Sequence, residues 1–184
     1  MQKQKTKPLT NYFEPLLCNI IFVTLNNINL KKTNKMKFNI NDTVNAQINT
    51  ELWSAYLYLS MSTNAEQKGF NEYIEWFDNE SKDKHSRAKR LASHLISKGV
   101  EVFLYPIADV PIKWETPLEM FKHAFEHEKK ISKLITTMMV FAKEEKEDAT
   151  VEVLSQFSEE QEKQEAKIKE IIAKLEKKNE PAAK

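Results

Sequence analysis

The chain has 184 residues, 41% hydrophobic and 30% charged, with a formal charge of +1, which is length enough for one domain with a sizeable core. Two glycines, Gly69 and Gly99, and six prolines leave too little punctuation for a many-stranded fold, and the single cysteine, Cys18, excludes an intramolecular disulfide. The charge is uneven: residues 1–35 hold six lysines and one glutamate, a balance of +5, so the rest carries 22 basic and 26 acidic residues, a balance of −4. That excludes a strongly basic nucleic-acid surface on the remainder, where no Lys/Arg cluster is interleaved with exposed aromatics.

Residues 1–35 are basic and asparagine-rich, with one apolar run from Leu16 to Leu25. The run is too short for a membrane span; the lysines before it leave a signal peptide open, though no small-x-small cleavage site follows. The expectation is a disordered arm, or sequence upstream of a true start at Met36, with neither membrane nor nucleic acid as partner.

From Met36 the punctuation reads as four long helices. Asn41 or Asp42 is placed to cap a first helix running to about Gly69, and Asn71 to cap a second that Gly99 ends. A long connection from Val100 to Glu115 follows, with Pro106, Pro111 and the β-rich run VEVFLYPIADVPI. Thr116, Pro117 and Glu119 then supply a cap, a proline at the first helical position and a capping-box glutamate. The third helix is expected to run to about Glu147. The fourth starts near Asp148 and fades after Lys178, leaving 179–184 as a polar tail. The expected fold is all-α, a four-helix bundle over residues 36–178 with one long crossover between helices two and three.

Each helix carries an apolar stripe interrupted near its middle by polar residues. The stripes run Val44, Ile48, Glu51, Ala55, Tyr58; Phe77, Ser81, Lys84, Ala88, Leu91; Phe121, Ala124, Glu128, Ile131; and Leu154, Phe157, Gln161, Gln164, Ile168. An unpaired buried charge costs several kcal/mol or more, so Glu51, Lys84, Glu128 and Gln161 must meet one another or a metal ion at the centre of the bundle.

The segments NAQINTELWSAYLYLSM at 45–61, the pattern from Trp76 to Gly99, FKHAFEHEKKI at 121–131 and SEEQEKQEAKIKEII at 158–172 resemble the ferritin family, and within it the bacterial non-haem ferritins. The resemblance aligns without gaps from Glu51 to Gln161. It implies a cytoplasmic protein that takes up ferrous iron (Fe2+), oxidises it at a di-iron centre inside the bundle, and stores ferric iron (Fe3+) within a self-assembled shell. It also implies that Glu51, Glu128 and Gln161 are iron ligands and that Tyr58 stands beside the centre. Asp83 and Glu160 keep carboxylate character at a neighbouring third iron site.

The departures are chemical. The family's second helix supplies Glu-x-x-His, a bridging carboxylate and an imidazole, because hard di-iron sites need O and N donors. Here Lys84 and Arg87 occupy those places, cations without a usable lone pair. Lys163 and Gln164 replace glutamates at the third site, and His85 lies off the ligand stripe. Lys84 in the bridging position is similar to light-chain subunits of animal ferritin, where a salt bridge replaces the oxidation centre. The leading reading is an iron-storage subunit with little or no ferroxidase activity of its own, assembling alone or with another ferritin subunit. Its rivals are a ferroxidase using a rearranged site of Glu51, Glu128, Gln161, Asp83 and Glu160, and a bundle that has lost iron chemistry.

Plainer roles compete at single residues. Glu80–Lys84 and Asp83–Arg87 have the i,i+4 spacing of surface ion pairs. His123 and His127 stand one turn apart at ligand spacing, but solvated histidines are the commoner outcome. Trp53, Trp76 and Phe125 read as packing residues.

Overall fold

The computed structural model describes residues 39–179; the expected arm of residues 1–35 and the tail beyond Asn179 lie outside them. Four helices follow in order: α1 (Ile40–Lys68), α2 (Asn71–Ser97), α3 (Pro117–Glu144) and α4 (Asp148–Asn179). Among the described residues there is no strand, and the β-rich run in the crossover takes no regular structure.

The helix ends follow local chemistry, with three shifts from expectation. The α1 cap is Asn39, not Asn41 or Asp42: Asn39 Oδ1 accepts from the Asp42 amide at 3.1 Å, and Asp42 Oδ2 accepts from the Asn39 amide at 3.0 Å. Asp42 is thus the reciprocal member of a capping box. Gly69, at φ 73°, ends α1 as expected, in a left-handed conformation that only glycine adopts without cost. Asn71 does not cap α2. The Phe70 amide bonds back to Ala65 O at 2.8 Å, so the two-residue link is used up in closing α1, and α2 starts with no side-chain cap.

The α3 start is as read, with Thr116 Oγ1 accepting from the Glu119 amide at 3.2 Å and Pro117 in the first turn. The Glu119 carboxylate reaches past the cap to the Glu115 amide at 2.8 Å. α3 stops at Glu144 rather than Glu147, because Lys146 takes φ 59° and the Glu147 amide turns back to Ala142 O at 2.9 Å.

α1 packs chiefly against α2, and α3 against α4. The predicted stripes face inward, but they form two apolar cores rather than one. One gathers Val44, Ile48, Leu91, Leu95, Ile131, Ile135, Leu154 and Phe157. The other gathers Leu57, Met61, Phe77, Trp114, Phe121 and Ile168. Each such side chain contributes about 1.5–3 kcal/mol when fully buried. On every helix the polar interruption falls between the residues of the two cores, so Glu51, Lys84, Glu128 and Gln161 form a polar layer across the middle of the bundle.

The crossover is fastened to α1 by side chains, which sequence reading missed. Asn45 and Asn49 both donate to Phe103 O, at 3.2 and 2.8 Å, and accept from the Phe103 and Tyr105 amides at 2.9 and 2.8 Å. Trp53 Nε1 donates to Ala108 O at 3.0 Å, Ser60 to Pro111 O at 2.6 Å, and Asn64 Oδ1 accepts from the Trp114 amide at 3.2 Å. An extended chain with no strand partner must satisfy its backbone elsewhere, and the Asn45, Asn49, Trp53 spacing places that partner along one flank of α1.

Candidate functional site

Each helix delivers one or more groups to the polar layer. Lys84 from α2 is 1% exposed and donates to Glu128 Oε2 of α3 at 2.6 Å, with Glu51 Oε2 of α1 at 3.9 Å. Tyr58 donates to Glu128 Oε1 at 2.5 Å. The Gln161 amide of α4 donates to Glu128 Oε2 and, at 3.2 Å, to the Glu128 carbonyl. Gln47, not anticipated from sequence, is fully buried and donates to Glu51 Oε1 at 2.8 Å. It sits one turn before Glu51, an i,i+4 relation that could have found it.

Arg87 completes the layer. Its Nε lies 3.5 Å from Glu51 Oε2 and 4.0 Å from Glu160 Oε2, and its guanidinium rests on the Phe157 ring at 4.8 Å. Glu51 and Glu128 therefore face Lys84 and Arg87, two charges of each sign. The arrangement is not fully satisfied: Gln47 Oε1, Glu51 Oε2, Arg87 Nε and Nη2, and Gln161 Oε1 are buried without a hydrogen bond. Lys84 and Arg87 do not make the surface i,i+4 pairs with Glu80 and Asp83; both reach across to other helices instead.

The remaining predicted residues stand at the edge. Asp83 and Lys163 are exposed, Gln164 is buried, and Glu160 is half-buried, paired with Arg90 at 2.7 Å. His85 is exposed, as its position off the stripe implies. Among the described residues, no three His, Cys, Asp or Glu side chains gather as a metal-holding group.

The two α3 histidines are not solvated. His127 is buried and bonded to Ser54 Oγ at 2.8 Å, and His123 Nδ1 accepts from Trp114 Nε1 at 2.9 Å. Both lie on the flank of α3 that meets α1 and the crossover, so they serve as internal hydrogen-bonding groups. Trp53 and Trp76 pack as read, and Phe125 lies between Lys129 and Lys169.

Electrostatics follow from this burial. Desolvation pushes the Glu128 carboxyl up, but Lys84, His127 and the hydrogen bonds from Lys84 and Tyr58 outweigh it and hold the group at about 2. Burial drives His127 down to about 3. The Tyr58 phenol is raised well above its usual range by burial and by Glu128. Glu80, which sequence reading took only as a surface partner of Lys84, is buried and raised to about 7 by desolvation, with Lys84 opposing.

These shifts predict acid lability. The stability from neutral buried His127 is present above its unfolded value of 6.5 and is lost as pH falls towards 3. The contribution of Glu128 is present above 4.5 and is lost as pH falls towards 2. Glu80 acts oppositely, favouring the fold below 4.5 and losing that contribution as pH rises through 7. Below 4.5 Glu80 adds nothing further and the other two act together, so melting temperature is expected to fall most steeply between pH 4.5 and 3. A His127→Gln variant should flatten that decline in a melting series; an unchanged slope would remove His127 as its source.

Residues 41–178 match the ferritin-like domain family. The chain is 38% identical over 136 residues to the bacterial non-heme ferritin of Bacteroides fragilis (strain 638R), covering 74% of this chain and 86% of that protein. It is 21% identical over 128 residues to that of Staphylococcus aureus (strain MRSA252), covering 70% and 77%. Among solved structures, an open pore ferritin from the hyperthermophilic archaeon Archaeoglobus fulgidus superposes with a TM-score of 0.75 at 31% identity, over 78% of this chain and 87% of that one. By a family match that spans the whole bundle, supported by these relatives, the chain belongs to the ferritin family.

Proposed function

We propose that this protein is an iron-storage subunit in which a buried ion-pair network stands in place of the family's oxidation centre, so that iron is cargo rather than a ligand of the bundle core. The observation that supports this reading most is the position of Lys84 Nζ, 2.6 Å from Glu128 and 3.9 Å from Glu51. Together with Arg87 it neutralises the two carboxylates that would otherwise face a pair of metal ions. Of the residues expected as iron ligands, Glu51, Glu128 and Gln161 are engaged in this network and Glu160 in an ion pair with Arg90, leaving Asp83 unpaired at the edge. A rearranged site built on those five residues draws no support from that arrangement.

The storage role calls for assembly, and the surface offers a face for it. Tyr56 and Leu59 on α1 and Phe103, Leu104 and Tyr105 on the crossover are exposed large apolar groups. Apolar groups left exposed in this number are the kind that subunit contacts cover. No helix among the described residues is long and apolar enough to cross a membrane.

The experiment is native mass spectrometry of the purified chain, followed by iron loading in air. The expected result is a multi-subunit particle that retains ferric iron yet oxidises ferrous iron little faster than buffer. A monomer that retains no iron would overturn the storage role, and rapid oxidation by the unmodified chain would overturn the silent centre.

A further inference from the structure

Beside the ion-pair layer, α2 and α4 flank a cleft of about 300 Å³. Its walls carry the guanidiniums of Arg87 and Arg90, the ammoniums of Lys163 and Lys167, and the Gln164 amide. Lys84 and Arg87 also line it but are already set against Glu128 and Glu51, and the carboxylates of Glu80, Asp83 and Glu160 complete the walls. Arg87 is only 6% exposed, yet Nε and Nη2 make no hydrogen bond. Unmade bonds on a buried cation are costly, and a guanidinium fork presents its donors in the geometry that a planar or tetrahedral oxyanion accepts.

The acidic groups nearby do not satisfy these donors. Glu160 gives Oε1 to Arg90 at 2.7 Å and approaches Arg87 only to 4.0 Å, while Glu51 comes within 3.5 Å of Arg87 Nε without a hydrogen bond. Lys163 and Lys167 are exposed at the mouth and make no ion pair within 4 Å among the described residues. A metal cation entering here would have to pass the exposed ammoniums of Lys163 and Lys167, which oppose its approach.

We infer that this cleft binds an oxyanion of the phosphate class, seated on the unmade donors of Arg87 and held from the solvent side by Lys163 and Lys167. Arg87 supplies the directional contact. The two lysines supply charge on flexible stems, which tolerate either a free anion or one at the edge of a mineral surface. The inference goes beyond iron storage and stands on the iron-free protein.

The test is isothermal titration calorimetry of the iron-free full chain with inorganic phosphate near neutral pH, at fixed ionic strength in chloride. Saturable binding of one phosphate per chain is expected. The double variant Lys163→Glu with Lys167→Glu, which alters only exposed side chains, should weaken it by roughly tenfold or more. Lys133→Glu, exposed on α3, should leave affinity unchanged. Absence of saturable heat, or equal affinity in the double variant, would overturn the site. With no iron present, that failure would leave the storage reading untouched, and a failure to retain iron would leave this site untouched.

Discussion

Replacing Lys84 by alanine is expected to destabilise the fold by roughly 3 kcal/mol or more, the cost of leaving a buried charge without its partner. Lys84 Nζ is the cation nearest Glu128, and both are closed to solvent. Without it, Glu128 keeps donors from Tyr58 and Gln161, and Glu51 keeps Gln47 at 2.8 Å and Arg87 at 3.5 Å. The hydrogen bonds satisfy both oxygens of Glu128 and one of Glu51, but they leave two carboxylates facing one guanidinium. The deleted stem also leaves a gap in a close-packed interior, so the charge effect must be separated from the cavity effect.

The second variant that separates them is Lys84→Ala combined with Glu128→Gln, which leaves the same gap but removes the uncompensated charge. Denaturant unfolding of the two single variants and the double should give a coupling of about 1 kcal/mol or more. If the double variant is no more stable than Lys84→Ala alone, the cost lies in packing and the electrostatic account of the layer fails. An unchanged midpoint for Lys84→Ala would contradict its burial altogether.

The four helices, the long crossover and the convergence of Glu51, Lys84, Glu128 and Gln161 were legible in the sequence because each rests on helical periodicity. A charge recurring on an apolar stripe has few places to go. What escaped the reading depends on partners far apart in sequence. Asn45, Asn49 and Asn64 look like ordinary polar residues until an extended crossover is laid against them. His127 looks like a surface histidine until Ser54 arrives from α1. Asn71 has the right residue type to cap α2, but the Gly69–Phe70 link leaves it no capping position. Lys84 was equally well placed for a surface pair with Glu80. The stripe decided the matter, because a side chain pointing along Ala88 and Leu91 had to be buried with a partner.

The double change Lys84→Glu with Arg87→His is expected to create fast ferrous iron oxidation, where the proposed function expects little from the unmodified chain. The geometry favours the bridging position: a group at residue 84 already lies within 3.9 Å of Glu51 and 2.6 Å of Glu128, on the side where both carboxylates converge. A carboxylate there turns a neutral layer into three like charges. Without metal these repel, so the iron-free variant should melt below the unmodified chain. Divalent metal binding should recover that loss by mass action, because only the folded chain presents the site. Arg87→His removes the second cation and supplies an imidazole donor beside Glu51. The initial rate of ferric absorbance at low iron loading should rise by roughly tenfold or more over the unmodified chain, with imperfect outer-shell contacts setting the ceiling. A metal-dependent melting shift without faster oxidation would show that the ligands assemble but that Lys163 and Gln164, still in place of carboxylates beside the centre, block turnover. Neither a shift nor a rate change would show that the layer cannot hold metal even with the family's donors restored, and the reading of Lys84 and Arg87 as the cause of silence would fall.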